Sequence, residues 1–327
     1  MIYFKFPFKP GIYTIESSAE NNAVKFVSFD EKKVVDFPGE IKEISKEELL
    51  EKELLINNSD YHSFESKKEE EKENYQNKIS EVIQFIKDEN LKKLVISRRK
   101  VLHYQDISQN KNISLTKTFL NLCESYPNAF VYLFKKETVW MGAFSELLGK
   151  FNKNNSEFET MSLAGTLPVN EEWTKKEIEE QKPVTDYILN ILKRYSEKVK
   201  KSKTYDHISG NIKHLRTDFN AKIEEKELEN LIAELHPTPA VCGIPKDFCR
   251  TAIERFEGYN RELYAGYIRI ETQDEILYFV NLRCAEFTEN RAFLYVGGGI
   301  TAQSNPEKEW RETELKSEAI LKNIAIS

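Results

Sequence analysis

Cysteine is scarce in this chain. Four occur in 327 residues, at Cys123, Cys242, Cys249 and Cys284. They show neither Cys-x-x-Cys spacing nor a paired framework, so they read as reduced core residues, and no standard zinc-ligand spacing is present. An excess of basic charge is also missing: 48 Lys and Arg stand against 54 Asp and Glu, interspersed, for a net charge of −6. That balance provides no footprint for nucleic acid and no polybasic patch for a membrane. No run approaches the ~20 apolar residues of a membrane span. The first eleven residues, MIYFKFPFKPG, lack the continuous apolar core of a signal peptide, and the protein is expected in the cytoplasm. Internal repeats and low-complexity segments are absent as well.

What the chain does have is material for a large core, with 40% hydrophobic and 12% aromatic residues. Short apolar runs at Ile12 to Ile15, Val24 to Phe29 and Val34 to Phe37 suit strands. Between Ile56 and Asn77 the composition turns polar and highly charged, which reads as a loop leading into a solvated helix. Residues 1–70 are therefore taken as a β-rich N-terminal extension of the same globule, and 71–327 as the main domain. A helix is expected from Tyr75 to Asp88, with Ile79, Val82, Ile83 and Ile86 at helical spacing. Strands are expected at Lys93 to Val101, Phe130 to Phe134, Thr138 to Ala143, Ser145 to Phe151 and Phe158 to Leu163. Trp173 to Tyr195 then carries Val184, Tyr187, Ile188, Ile191, Leu192 and Tyr195 on one helical stripe. Further helices fit Glu224 to Leu235 and Lys246 to Phe256, followed by strands at Leu263 to Glu271, Glu275 to Arg283 and Ala292 to Val296. Strands in clusters with helices between the clusters indicate an α+β fold with mainly antiparallel sheets.

Two groups of carboxylates suggest a site. Near the C-terminus an apolar strand runs into Gly297, Gly298 and Gly299, read as a turn whose backbone N–H groups could approach an anion. Ser304 or Asn305 can cap the helix that follows, and Pro306 suits its first turn. In that helix Glu309, Glu312 and Lys316 share a face that continues into Ala319 and Ile320, so it should point inward. Extending the Trp173 to Tyr195 stripe backwards places Glu180 and Glu177 on its inward face too. Buried carboxylates are costly unless they hold a cation or ligand. An all-oxygen donor set suits Mg²⁺ rather than zinc, and Mg²⁺ leaves room for an anionic substrate group.

Lys93 opens the strand Lys93-Leu-Val-Ile-Ser-Arg98 on a face shared with Val95 and Ser97. A lysine held there can serve as a base, since desolvation and nearby cations favour a neutral amine. Glu146 lies in Met141-Gly-Ala-Phe-Ser-Glu-Leu-Leu148, where apolar neighbours favour a protonated carboxyl able to act as an acid. Arg283, at the end of an apolar strand, is a natural carboxylate fork. His62 and His103 read as surface or strand-end residues, and His214 and His236 as residues near helix ends.

These segments, in this order, resemble the chorismate-utilising enzymes, and within them the branch that makes isochorismate. The resemblance is carried by Lys93-Leu-Val-Ile-Ser-Arg98, Gly142-Ala-Phe-Ser-Glu-Leu-Leu148, Leu163-Ala-Gly-Thr166, Glu177 to Gln181, Leu235-His-Pro-Thr-Pro-Ala-Val-Cys-Gly-Ile-Pro245, Arg261-Glu-Leu-Tyr-Ala-Gly266, Leu282-Arg-Cys284 and Val296 to Lys316. It runs from about residue 75 to the C-terminus. It implies two large antiparallel sheets packed face to face with helices outside. It also implies an isomerase in which Lys93 activates water for attack on C2 of chorismate and Glu146 protonates the departing C4 hydroxyl. Glu180 and Glu312 match Mg²⁺ ligands, with Glu309 and Glu177 close by. Gly165, Thr166, His214, Ala240, Tyr264, Leu282, Arg283, Gly297 and Lys316 match substrate-pocket positions, Arg283 suiting the enolpyruvyl carboxylate. A monomer is implied, making a precursor of menaquinone or of a siderophore.

Two segments depart from the family pattern. Ala143-Phe-Ser-Glu146 stands where Ala-Ser-Pro-Glu is common, and Lys176-Glu-Ile-Glu-Glu180 stands where Lys-Asp-Arg usually precedes the metal glutamate. Periodicity favours Glu180 over Glu179 as the inward residue. The resemblance also admits a salicylate-forming relative, which eliminates pyruvate from isochorismate, and a non-catalytic ligand-binding relative. The amine-transferring relatives carry glutamine at the Lys93 position, so Lys93 argues against them.

Overall fold

The computed structural model describes residues 1–17, 23–52, 67–106 and 113–326. Two nine-stranded sheets organise them, and every strand pairing is antiparallel. The first sheet runs, in spatial order, Gly243–Ile244, Lys93–His103, Arg291–Ile300, Cys284–Phe287, Val139–Phe144, Phe130–Lys135, Ile2–Lys5, Ile12–Glu16 and Glu40–Ile44. The second runs Val199–Lys201, Ile212–Lys222, Glu157–Pro168, Leu147–Asn152, Glu275–Val280, Tyr267–Glu271, Val24–Val27 and Val34–Phe37, with Tyr205–Ser209 pairing only Ile212–Lys222. The N-terminal strands are thus divided between the two sheets.

Alternation along the strands makes the two-layer packing. In Phe130–Lys135 the side chains of Phe130, Tyr132 and Phe134 enter the core between the sheets, while Val131 and Leu133 face outward onto Leu115, Phe119 and Leu122. Phe26 of the second sheet meets Tyr132 and Phe134 at ring distances of 4.8 Å, and Phe279 stacks on Phe130 at 5.0 Å. The helix Lys175–Tyr195 covers the second sheet with Val184, Ile188, Ile191 and Leu192, the stripe legible in the sequence. The helix Pro306–Leu321 lies on the first sheet, seating Ala319 and Ile320 in the outer cluster.

Local expectations change at four places, one being the strand expected from Leu263, which begins at Tyr267 after a turn that holds Leu263, Tyr264 and Ala265. The Arg291–Ile300 strand does not stop at Val296: Gly297, Gly298 and Gly299 pair with Ser97, Ile96 and Val95, so they form ladder and not an anion-binding turn. His214 lies inside the strand Ile212–Lys222 and not near a helix end. The strand Glu275–Val280 ends before Arg283, which has a positive φ of 45° in the connection to Cys284–Phe287. His62 lies outside the described residues. All four cysteines are free thiols, three of them buried.

Two of the short crossovers between the sheets bear candidate site residues. Ser145 and Glu146 carry the chain from Val139–Phe144 in the first sheet to Leu147–Asn152 in the second. Asn281, Leu282 and Arg283 carry it back from Glu275–Val280 to Cys284–Phe287. The candidate acid and the candidate arginine both sit where the sheets join.

Candidate active site

One cavity gathers most of the residues singled out from sequence. Lys93 comes from the first sheet, Glu146 and Arg283 from the crossovers, and Gly165, Thr166 and His214 from the second sheet; Glu180, Ala240, Tyr264, Leu282, Gly297 and Lys316 complete the wall. Glu177, Glu309 and Glu312 line the adjoining cleft between the two helices, together with Lys176.

The helices are positioned by their caps. Thr174 starts Lys175–Tyr195 with a capping box in which the Glu177 carboxylate accepts the Thr174 N–H at 3.1 Å and also its hydroxyl. Glu177 is therefore committed to starting the helix, and one turn further on Glu180 points into the site. Glu179 points to solvent. Asn305 caps Pro306–Leu321 by accepting from the N–H groups of Glu307 and Lys308, with Pro306 in the first turn. Arg98 anchors that helix from the strand that also bears Lys93. Its guanidinium lies 3.7 Å from the Trp310 ring, and its Nε donates to Thr313 Oγ1 at 2.8 Å.

The glycine strand makes room for charged side chains. A Cβ on Gly299 would stand 2.3 Å from Glu180 Oε1 and 2.4 Å from Lys93 Cε, and one on Gly298 would stand 3.3 Å from Glu309 Oε2. These glycines work by lacking a side chain in an extended strand, where a turn was expected.

Lysines neutralise the acids. Lys93 Nζ lies 2.8 Å from Glu180 Oε1 with both side chains buried, and Lys316 Nζ lies 2.7 Å from Glu312 Oε1 while donating to Gly297 O at 2.8 Å. Burial pushes Glu180 up, but Lys93 and Lys176 outweigh it and hold the carboxyl below its ordinary value. Glu309 differs. It is 1% exposed, and neither of its carboxylate oxygens has a hydrogen-bond partner, although Lys176 Nζ stands 3.1 Å from Oε1. Burial, then repulsion from Glu312, raises it to about 7. A buried acid beside two more acids, which offer oxygen as their ligand atom, is suited to a hard cation. Among the described residues no three acids, histidines or cysteines stand close enough to hold a metal as they are, so a cation would take Glu180 and Glu312 in exchange for their lysine partners.

The other end of the cavity brings together a carboxyl, a guanidinium and an imidazole. Glu146 is 5% exposed, and burial raises its carboxyl to about 7 against the pull of Lys93, Lys316 and Arg283. Arg283 Nη2 donates to His214 Nε2 at 2.7 Å, and its Nη1 donates to the Ser209 hydroxyl. The opposite ring nitrogen, Nδ1–H, donates to Gly165 O at 2.9 Å, so His214 is one fixed neutral tautomer. Burial and the nearby Arg283 and Lys316 charges push it well below the ordinary histidine value. Arg283 forms no ion pair among the described residues, which leaves its charge for a ligand carboxylate. Ser145 and His207, joined by a hydrogen bond of 2.8 Å beside Glu146, carry no signal in the sequence, where a single histidine in a polar stretch stands out in no pattern.

Comparison with known proteins agrees with this geometry. The model of the chorismate binding enzyme family matches residues 22–325. The isochorismate synthase DhbC of Bacillus subtilis is 27% identical over 294 residues, covering 81% of this chain and 71% of that protein. The isochorismate synthase EntC of Escherichia coli is 29% identical over 198 residues, which is 56% of this chain and 50% of that protein. Among solved structures the DhbC protein of Bacillus anthracis superposes with a TM-score of 0.77 at 23% identity, over 98% of this chain and 95% of its own. With a family match across nearly the whole length, the chain belongs to the chorismate-binding enzymes.

Proposed function

We propose that this protein is an isochorismate synthase, an isomerase that moves the hydroxyl of chorismate from C4 to C2 with allylic shift of the ring double bonds. The observation that carries the reading is the presence, within one cavity, of a buried lysine and a buried carboxyl raised to about 7, beside an arginine with no carboxylate partner among the described residues. Lys93 takes a proton from the attacking water. Glu146 gives its proton to the C4 oxygen, which departs as water, so the atoms balance and no oxidant is involved. Arg283, aimed by His214 and Ser209, receives the enolpyruvyl carboxylate. Mg²⁺, held by Glu180 and Glu312 with Glu309 and Glu177 beside them, would supply a hard positive charge for the ring carboxylate. Lys93 can accept a proton only while it is free of Glu180, so the ion pair between them is the resting arrangement.

The test is product analysis after incubating the purified protein with chorismate and Mg²⁺. Isochorismate with little pyruvate is expected. Stoichiometric pyruvate and salicylate would place the protein with the lyases, and full activity in excess chelator would remove the metal from the scheme.

A further inference from the structure

The candidate acid has no tether of its own. Among the described residues the Glu146 carboxyl makes no hydrogen bond or ion pair, so its aim depends on the two-residue crossover that carries it. That crossover is held at two points. On one side the Val280 N–H donates to Glu146 O at 3.0 Å. On the other the Ser145 hydroxyl and His207 Nε2 share a hydrogen bond of 2.8 Å.

His207 belongs to Tyr205–Ser209, a strand that pairs with Ile212–Lys222 alone. Its alternation divides the work. His207 and Ser209 turn one way, to Ser145 and to Arg283, while Asp206 on the other face takes the Trp173 N–H at 2.7 Å and Ile208 is exposed. His207 is directly opposite His214, so the two imidazoles share a face, one holding the acid's crossover and the other the arginine's. Burial, with Arg216 and Arg283 nearby, pushes His207 down to about 4, which keeps the ring neutral in the working range.

From this geometry we infer that His207 and Ser145 form a positioning pair that aims Glu146, and that Ser209 does the corresponding work for Arg283. The inference rests on the proposed reaction. Loss of aim by an acid lowers turnover, whereas a loosened carboxylate anchor lowers binding, so the two arms separate in steady-state kinetics. His207→Ala and Ser145→Ala should each lower kcat by about 10-fold to 100-fold with KM for chorismate near wild type. The double variant should be no worse than either single one. His207→Gln, whose amide nitrogen replaces Nε2, should recover most of kcat. Ser209→Ala should instead raise KM. A structural role alone would not produce this split.

Melting curves show whether each variant is folded, and Ser145→Ala carries the test if His207→Ala is not. A His207→Ala or Ser145→Ala protein with kcat within about twofold of wild type, or a loss in KM instead of kcat, overturns the inference. Wild-type protein that leaves chorismate unchanged overturns the proposed reaction and the inference together, whereas wild-type turnover with unaffected variants overturns the inference alone.

Discussion

Lys93 Nζ and Glu180 Oε1 lie 2.8 Å apart with side chains only 2% and 7% exposed, one from a strand of the first sheet and the other from a helix on the second. This buried ion pair joins the two layers at the site. Removing one partner strands the other's charge, at a cost of about 3 kcal/mol, whereas removing both leaves no such charge. Lys93→Gln and Glu180→Gln should each lower the unfolding free energy, and the double variant should lose clearly less than the two losses added. Denaturant titration of the four proteins measures the coupling. Lys93→Gln should still bind chorismate yet lose about 10²-fold to 10⁴-fold in turnover, as expected for a missing base.

The glycine strand gives a ranking that depends only on space. Gly299→Ala drives a methyl to within 2.3 Å of Glu180 Oε1, whereas Gly298→Ala meets its nearest atom at 3.3 Å. Overpacking of the first kind costs about 1–3 kcal/mol and displaces the side chains it touches. Gly299→Ala should therefore be nearly inactive, with Gly298→Ala closer to wild type, when initial rates are compared on folded protein. Equal rates for the two would show that Lys93 and Glu180 move aside without consequence.

Much of this site was legible from periodicity because its acids continue apolar stripes. Val184, Ile188 and Leu192 set the inward face of Lys175–Tyr195, and Glu180 follows from them. Asn305 and Pro306 mark the start of the C-terminal helix by local chemistry alone. The glycine triplet was misread because its strand partner, Ser97 to Val95, is remote in sequence, and local signals favour a turn where only a distant strand supplies the ladder. Arg283 reads as strand because the apolar run continues through Leu282, while the chain leaves the sheet at Asn281 to change layers. For the same reason His207 gives no local signal, and His214 is reached through the family resemblance alone. Their partners Arg283 and Ser145 come from the two crossovers, which exist only once both sheets are assembled.

The buried carboxylate of Glu309 separates metal binding from stability. In metal-free protein the attraction of this buried acid to Lys176, 3.1 Å away, is outweighed by burial and by repulsion from Glu312, so Glu309→Gln should melt no lower than wild type. In wild type, Mg²⁺ should raise the melting temperature, since a ligand that binds only the folded state stabilises it by mass action. That rise should shrink in Glu309→Gln and vanish in Glu180→Gln and Glu312→Gln. Thermal melts across a Mg²⁺ series measure it without reference to turnover, and an unchanged rise in all three variants would place the cation elsewhere.

Glu146 should couple activity and stability to pH in opposite senses upon substitution. Its carboxyl moves from an ordinary 4.5 to about 7 on folding, chiefly through burial. An acid whose value rises on folding is held more tightly as its protonated form in the native state. Its stabilising contribution is therefore complete below 4.5 and is lost as pH climbs through about 7. The shift corresponds to a loss on the order of 3 kcal/mol once the folded carboxyl is ionised. Glu146→Gln, which keeps the shape and removes the charge, should accordingly unfold at higher denaturant than wild type at pH 8. The gap should close as pH falls towards 4.5. Glu309 is raised to about 7 as well, but it is present in both proteins and cancels in the comparison. Turnover behaves the other way, because loss of the acid costs about 10²-fold to 10⁴-fold where wild-type Glu146 is protonated, and that gap should narrow above about 7 as the wild-type acid ionises and its rate falls. If Glu146→Gln is no more stable than wild type at pH 8, the carboxyl is not held protonated by burial, and its part as proton donor is lost with it.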